Sequence, residues 1–517
     1  MSYQRVHLTP CALLVLCLSL CLQQVTAAST FAPNCTLPSE GTNFVSGPNT
    51  RGTLSILWNC LSIILLCTWT IQHLNIPAQR PILGDHTSWW KGTCKTLWWK
   101  ILDTGKQVKW MLLTVLIPEY IMGKAWGDRQ AAVAVRDLFR SRNLIEGAEL
   151  VHGYFANMGG YYLDFSHIDG QMHMVATLSP EAEHVKLGSR PPKADEVEGH
   201  CDERNLNIHD VGDVKIPLYS TYGTEYGDKS CLINLAALQR PQWSLNGWQL
   251  HELHQQHILE HLPILSARDI EALDDSSAFV KLLAILQVSW LIIQLIVRQL
   301  RGLPSSQLEI AALAFAASSF FTYLILWGRP RNITRRFKVP ALREPTEKGV
   351  VNLIRYGPTF LLHRGRREDV IDHEYHVVPI PNDAIHSAEW GADFKSGPPL
   401  IFGSIFGGVV FGGLHCLAWN SQFPTPTEAL AWRICAVVTT IVPIIATIPM
   451  FLFEVDSPLT KTAQRRLAAG IIAVIFLLIP YILARLFLLV EMFRSLLYLP
   501  PAAFKETWSG WSLPHLG

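Results

Sequence analysis

PPLIFGSIFGGVVFGGLHCLAWN, residues Pro398–Asn420, is the stretch that decides the fold. It carries no Asp, Glu, Lys or Arg, and it is long enough to cross a bilayer, which takes about 20 apolar residues. Its glycines fall as Gly403/Gly407 and Gly408/Gly412. These are small-xxx-small pairs, which let another helix approach closely. His415 follows three residues after Gly412 and stays on that packed face. A neutral histidine there hydrogen-bonds inside a bundle, relays a proton or contacts substrate, or ligates a metal or heme.

The rest of the chain has the composition of a multi-pass membrane protein. Of 517 residues, 49% are hydrophobic and only 16% charged, against about 25% charged in a soluble protein. Mean hydropathy is +0.21. A net charge of +1 gives no nucleic-acid-binding balance. The 17 tryptophans cluster at the ends of apolar runs, where an interfacial ring is at home. Cys35, Cys94, Cys201 and Cys231 alone lie outside the leader and the apolar segments, and there is no CxxC, so neither a disulfide scaffold nor a zinc knuckle is expected.

Residues 1–27 read as a signal peptide, with CALLVLCLSLCL as its core and Val25 and Ala27 at the small-residue positions. Residues 28–52 are then lumenal or extracellular, with a glycosylation sequon at Asn34. Thr53–Ile71 is the first span, followed by the lysine-rich, tryptophan-paired WWKGTCKTLWWK, expected along the membrane surface. Val108–Trp126 is interrupted by Pro118 and Glu119, and is read as re-entrant or interfacial. If it spanned, the basic GRPRNITRRFK after Trp327 would fall outside, against the positive-inside rule. Residues 127–278 form a polar, mixed insertion expected in the cytoplasm. Helical patterning is expected over Arg129–Leu150 and Leu250–Leu273. Phe279–Val297 and Gln307–Trp327 form a hairpin within residues 279–327, and a cytoplasmic loop covers residues 328–397. Pro398–Trp419, Leu430–Phe453 and Ala468–Val490 are the remaining spans, within residues 398–499, before a tail at residues 500–517. The expectation is an all-α polytopic transmembrane bundle of six spans plus one re-entrant or seventh segment, multi-pass in the endoplasmic reticulum or plasma membrane.

The phrases RGTLSILWNCL, CTWTIQHLNIP, GLPSSQLEIAALAFA, FGGLHCLAW and ARLFLLVEMFRSLLYLPPAAF, with a final WSLPH, resemble a large family of filamentous-fungal multi-pass membrane proteins. The resemblance covers most of the chain after the leader. It implies the architecture and a fungal origin, and supplies no catalytic residue. Fungal multi-pass proteins of similar size act in natural-product pathways, which is an analogy of fold class.

Polar residues within the apolar segments are the chemical candidates, because they are expensive in a bilayer. Gln287, Trp290, Gln294 and Arg298 share one face of a helix, as inter-helix hydrogen-bonding glue or as a substrate-binding wall. A short loop brings Arg298 level with Glu309, as a structural clamp or a working pair. Arg485 and Glu491 project apart, so each needs a partner elsewhere. For Arg485 these are the glutamine stripe, or Glu119 if that segment is re-entrant. Glu119, Glu309, Glu491 and His415 are the candidate proton donors or acceptors, with Gln287, Gln294 and Arg485 positioning substrate. His415 seeks a partner among Gln287, Gln294, Arg485 and Glu491. In HELHQQHILEH, His254, His257 and His261 have the spacing of metal ligands on a helix, or mark a solvated helix. There is no Walker motif, GxSxG or GxGxxG, and no cofactor is expected. The partners expected are the lipid bilayer and a hydrophobic small molecule, with no nucleic acid. The reading is a membrane-embedded acid/base enzyme, cyclase- or isomerase-like, in fungal secondary metabolism. Its alternatives are a transporter or channel and a sensor or scaffold.

Overall fold

The computed structural model describes residues 50–77, 89–164, 242–263, 265–274, 278–343, 345, 353, 356–360, 379–385, 399–446 and 461–507. The leader 1–27, the Asn34 sequon, most of the insertion between residues 165 and 241, and the last ten residues of the tail lie outside them.

Long apolar runs become helices because a backbone in lipid must satisfy its own hydrogen bonds. Six helical stretches among the described residues are long and apolar enough to cross a membrane: Thr53–Thr70, Leu282–Leu300, Gln307–Ile325, Pro399–Ala418, Pro426–Ile445 and Phe476–Tyr498. They belong to helices α1 (Thr53–Thr70), α7 (Ala278–Leu300), α8 (Gln307–Ile325), α9 (Pro399–His415, continued by a 3-10 turn), α10 (Pro426–Ile445) and α11 (Lys461–Arg494). Their outward faces keep large apolar side chains exposed, among them Trp58, Phe402, Phe476 and Val490. Such surface needs lipid to cover it, and the chain is an integral membrane protein. α11 begins at Lys461 and takes Arg465 and Arg466 into the helix rather than leaving them in a loop.

Val108–Trp126 is two helices. α2 (Trp89–Leu116) stops, Ile117 is non-helical at φ −140 and ψ 69, and α3 (Pro118–Ser141) restarts with proline in its first turn. Proline has no N–H to give to the preceding turn, and it disfavours a helical residue before it. α3 then runs on into the polar region, past the expected start at Arg129.

The remaining elements form a small mixed unit. α4 (Leu150–Asn157) and α5 (Gly247–Gln255) pack beside strands β1 (Tyr161–Asp164), β2 (Gln242–Leu245) and β3 (Phe337–Pro340). β1 is central, antiparallel to β2 and parallel to β3, with Tyr161 opposite Leu245 on one side and Phe337 on the other. α6 (Ala267–Glu271) follows α5, and β4 (Thr359–Phe360) pairs with β5 (Ala384–Ile385). Ile76, Val135, Tyr161, Trp243, Ile333 and Val339 share one apolar core. This core draws on the chain just after α1, within α3 and just after α8. Ile76 and Val135 thus lie in one core, although α2 and the start of α3 separate them in sequence. The arginines of GRPRNITRRFK tie this unit to the bundle. Arg329 pairs with Asp128 and donates to Asn75, and Arg336 donates to the carbonyls of Ile76 and Pro77. Burial pushes the Arg336 guanidinium down to about 10.

Candidate functional site

The glycine ridge of α9 serves two partners. A Cβ on Gly403 would come within 2.7 Å of Gly123 Cα, and one on Gly407 within 2.9 Å of Glu119 Cα, both on α3. A Cβ on Gly408 would lie 2.7 Å from the Pro443 ring, and one on Gly412 would lie 2.6 Å from Thr440 N, both on α10. The first pair therefore brings the start of α3 level with Gly407, about 12 Å into α9 at a rise of about 1.5 Å per residue. Glu119 is thereby seated against α9, one of the helices long and apolar enough to cross a membrane, although its own helix is not among them.

Around Glu119 the polar groups converge. Arg485 of α11 is 2% exposed and donates from Nε to Leu116 O and from Nη2 to Val115 O, each at 3.0 Å. These carbonyls belong to the last turn of α2, which has no following N–H to meet them. The guanidinium also lies 4.1 Å from the centroid of the Phe411 ring, a cation–π contact. Arg485 and Glu119 interact electrostatically. Glu119 is 5% exposed, and its Oε2 has no hydrogen-bond partner. Tyr481, one turn before Arg485 on α11, likewise has a buried hydroxyl with no partner. The expected meeting of Arg485 with the glutamine stripe does not occur in its hydrogen bonds; the helix break takes that place.

His415 is 2% exposed, with its Nδ1 2.8 Å from Phe411 O one turn back. A carbonyl can only accept, so Nδ1 carries the hydrogen and Nε2 is the nitrogen left to take a proton. Its ring lies between those of Phe411 and Trp432, and Trp432 Nε1 donates to its carbonyl. The partner sought among Gln287, Gln294, Arg485 and Glu491 is therefore its own helix, with Arg485 near enough for charge to be felt.

Glu309 is held differently from the expectation. Its partner is Arg51, from Nη1 at 2.5 Å and Nη2 at 3.1 Å. Ser306 N and Oγ also donate to Oε2, as the capping box of α8. Arg298, fully buried, donates instead to the carbonyls of Pro304, Ala503 and Lys505. The tail after α11 thus folds back over the start of α1, and Thr50 bridges to Lys505. The polar stripe of α7 is buried as expected. Gln287 donates to Ser62 on α1 at 3.3 Å, while Trp290 and Gln294 line a cavity with Arg51, Asn59 and Glu309. That cavity holds about 30 Å³, room for one water.

Glu491 is buried with Oε1 unpartnered, beside Glu428 and Arg494, which are themselves paired at 2.7 Å. Of the groups that sequence reasoning passed over, Tyr481 has a readable signal, its i−4 spacing from Arg485. Arg51 and Glu428, at the mouths of helices, have none.

The histidine run is not one helix. α5 ends at Gln255, His257 takes a left-handed φ of 52, and Ile258 N bonds back to Leu253 O. This is a Schellman-type close, and it ends the helix before His257 and His261. His254 Nδ1 meets Leu259 O, and His261 lies beside Glu260 in the open. The spacing that would align His254, His257 and His261 is lost, and among the described residues no group of three or more His, Cys, Asp or Glu is placed to hold a metal ion.

No curated protein and no solved structure matches the chain. Residues 18–201 and 252–355 match the profile of a family described as a family of unknown function, DUF8562. The matched segments hold Glu119, Glu309 and the α7 stripe, while His415, Arg485 and Glu491 lie beyond them. Since the match takes in more than half of the chain, the protein belongs to the family of unknown function DUF8562.

Proposed function

We propose that this integral membrane protein is an acid–base enzyme of cyclase or isomerase type, with Glu119 exchanging a proton at a re-entrant helix break. The substrate class is an apolar molecule reached from the bilayer, such as the terpenoid and polyketide intermediates of fungal secondary metabolism. The observation that carries the reading is the unpartnered Oε2 of Glu119, 5% exposed beside Arg485. A carboxyl oxygen without a donor in a dry site is where a proton resides. Arg485, fixed by two carbonyls and the Phe411 ring, would orient the substrate. His415 Nε2 and the Tyr481 hydroxyl supply further proton-exchanging groups in the same region. A second reading, a proton-coupled carrier, is favoured by the break itself, since discontinuous helices build transporter sites near the midplane.

The test is expression of the full chain in a heterologous host fed terpenoid and polyketide intermediates, with product analysis. Glu119→Gln should lower product formation about a hundredfold or more, the worth of a general acid. If no intermediate is converted, and vesicles of the wild type instead carry a proton flux that Glu119→Gln abolishes, the enzyme reading falls to the carrier. If Glu119→Gln changes neither, both fall.

A further inference from the structure

α2 is the most exposed helix of the bundle, and its exposure is patterned. At about 100° per residue, Trp90, Leu97, Trp98, Ile101, Leu112 and Leu116 fall within an arc of roughly 100°, and each is at least 42% exposed. Lys95, Lys106 and Lys109 flank this arc on one side and Lys100 on the other. Asp103, the one acidic residue of α2, lies on the opposite pole. The side chains that α2 does bury in the protein, Trp110 and Thr114, also sit on that far side, Thr114 accepting from Gln72 at 2.9 Å. The protein therefore grips α2 by its polar pole, near its C-terminal end. The apolar arc is turned away from these contacts, with three lysines on one shoulder and Lys100 on the other.

From this geometry we infer that α2 is a binding surface for acidic phospholipid: its tryptophan-rich arc inserts into the leaflet and its flanking lysines engage anionic headgroups. The charge pattern selects this occupant. A second copy of the chain would meet the same lysines; α2 carries five lysines to one acidic residue, Asp103, which pairs with Lys106 at 3.5 Å, so the net charge of the helix favours an anionic surface. Long lysine side chains at the margins of an apolar stripe lay their stems on it and raise their ammonium groups to the headgroup level. The helix is continuous with the Leu116 carbonyls that Arg485 holds, so its lipid docking fixes one wall of the break.

Hydrogen exchange of the full chain in vesicles tests this. In a phosphatidylcholine–phosphatidylserine mixture, exchange over residues 89–109 should be at least about tenfold slower than in phosphatidylcholine alone, given about fivefold per lysine near an anionic surface. High salt should erase the difference, because these charges are exposed. A variant carrying Lys95→Gln, Lys100→Gln, Lys106→Gln and Lys109→Gln should lose the slowing while α9 keeps its own protection. The matching set of Lys→Arg changes should retain it. Equal exchange in the two lipid mixtures overturns the proposal, as does slowing that survives the Lys→Gln changes. Protection that rises with protein density in phosphatidylcholine alone would identify a second copy as the occupant instead.

Discussion

Gly412→Ala and Gly413→Ala place one methyl each on adjacent positions of α9, and the structure assigns them opposite outcomes. A Cβ at 412 would meet Thr440 N at 2.6 Å and Thr440 Cα at 2.8 Å, both backbone atoms of α10 that no rotamer can move. Ordinary carbon contacts lie at about 3.5–4.0 Å, so α9 and α10 must part by roughly 1 Å. Overpacking of this kind costs about 1–3 kcal/mol, and fixed backbone puts it at the upper end. Alanine returns about 1 kcal/mol of helix propensity, leaving a net loss of about 2 kcal/mol. A Cβ at 413 meets nothing within 4 Å, so only the propensity gain remains, about 1 kcal/mol in favour. Gly403→Ala should follow Gly412→Ala, since its Cβ would lie 2.7 Å from Gly123 Cα and 2.9 Å from Met122 O on α3. Thermal unfolding of the purified protein in one detergent, scored by tryptophan fluorescence, reads the order 413 above wild type above 412. Equal midpoints for the 412 and 413 variants would refute the close approach of α10 and the two-sided use of the ridge.

Two further outcomes follow from the same packing. Arg51→Met or Glu309→Gln alone strands a buried partner and should cost about 3–5 kcal/mol, while Arg51→Met with Glu309→Met should recover most of it; equal melting of single and double variants would show that the pair is not coupled. Single cysteines in place of Glu146 and Arg343, both exposed, should react with an impermeant thiol reagent from one side of a sealed vesicle, and one in place of Thr427 from the other. Reaction of the first two from opposite sides would contradict the shared core of Ile76, Val135 and Val339.

What was readable in the chain is what lipid enforces. The six apolar runs, the burial of the α7 stripe and the closeness of helices at the glycine pairs all follow from the absence of water. The ends of each helix are less constrained, and α11 begins at Lys461 with Arg465 and Arg466 inside the helix. Partners were the hardest to read. Arg298 and Arg485 bond mainly to carbonyls, which every residue carries, so no side-chain pattern marks Ala503 or Leu116 as their target. Arg51 meets Glu309 across 258 residues, and only the folding of the tail over α1 brings that pair under cover. The histidine run failed for a local reason. Its spacing was taken at helical pitch, while the helix closes at Gln255 and His257 turns left-handed.

Two of the bundle's glutamate–arginine arrangements, Glu309 with Arg51 and Glu119 with Arg485, contrast in a way that bears on which carboxyl can work. Glu309 accepts from Arg51 twice and from Ser306 twice. A proton placed on it would have to displace charge-assisted bonds, each worth about 1.5–3 kcal/mol. Glu119 has a cation close by, and that cation gives two of its N–H groups to Leu116 and Val115. Those carbonyls are open because the helix ends at Leu116 and Ile117 is non-helical, so no continuing turn supplies their donors. Left unmet in an apolar interior, each would cost about 1–3 kcal/mol, so the arginine is committed to the break before it can neutralise the acid. A proton on Glu119 Oε2 displaces no hydrogen bond. The helix break thus keeps a carboxyl open at the centre of the bundle, whereas the outer clamp closes one. Between Glu119 and Glu309, the cost of binding a proton therefore favours Glu119; Glu491, whose Oε1 is likewise unpartnered, shares that property at the α10–α11 contact.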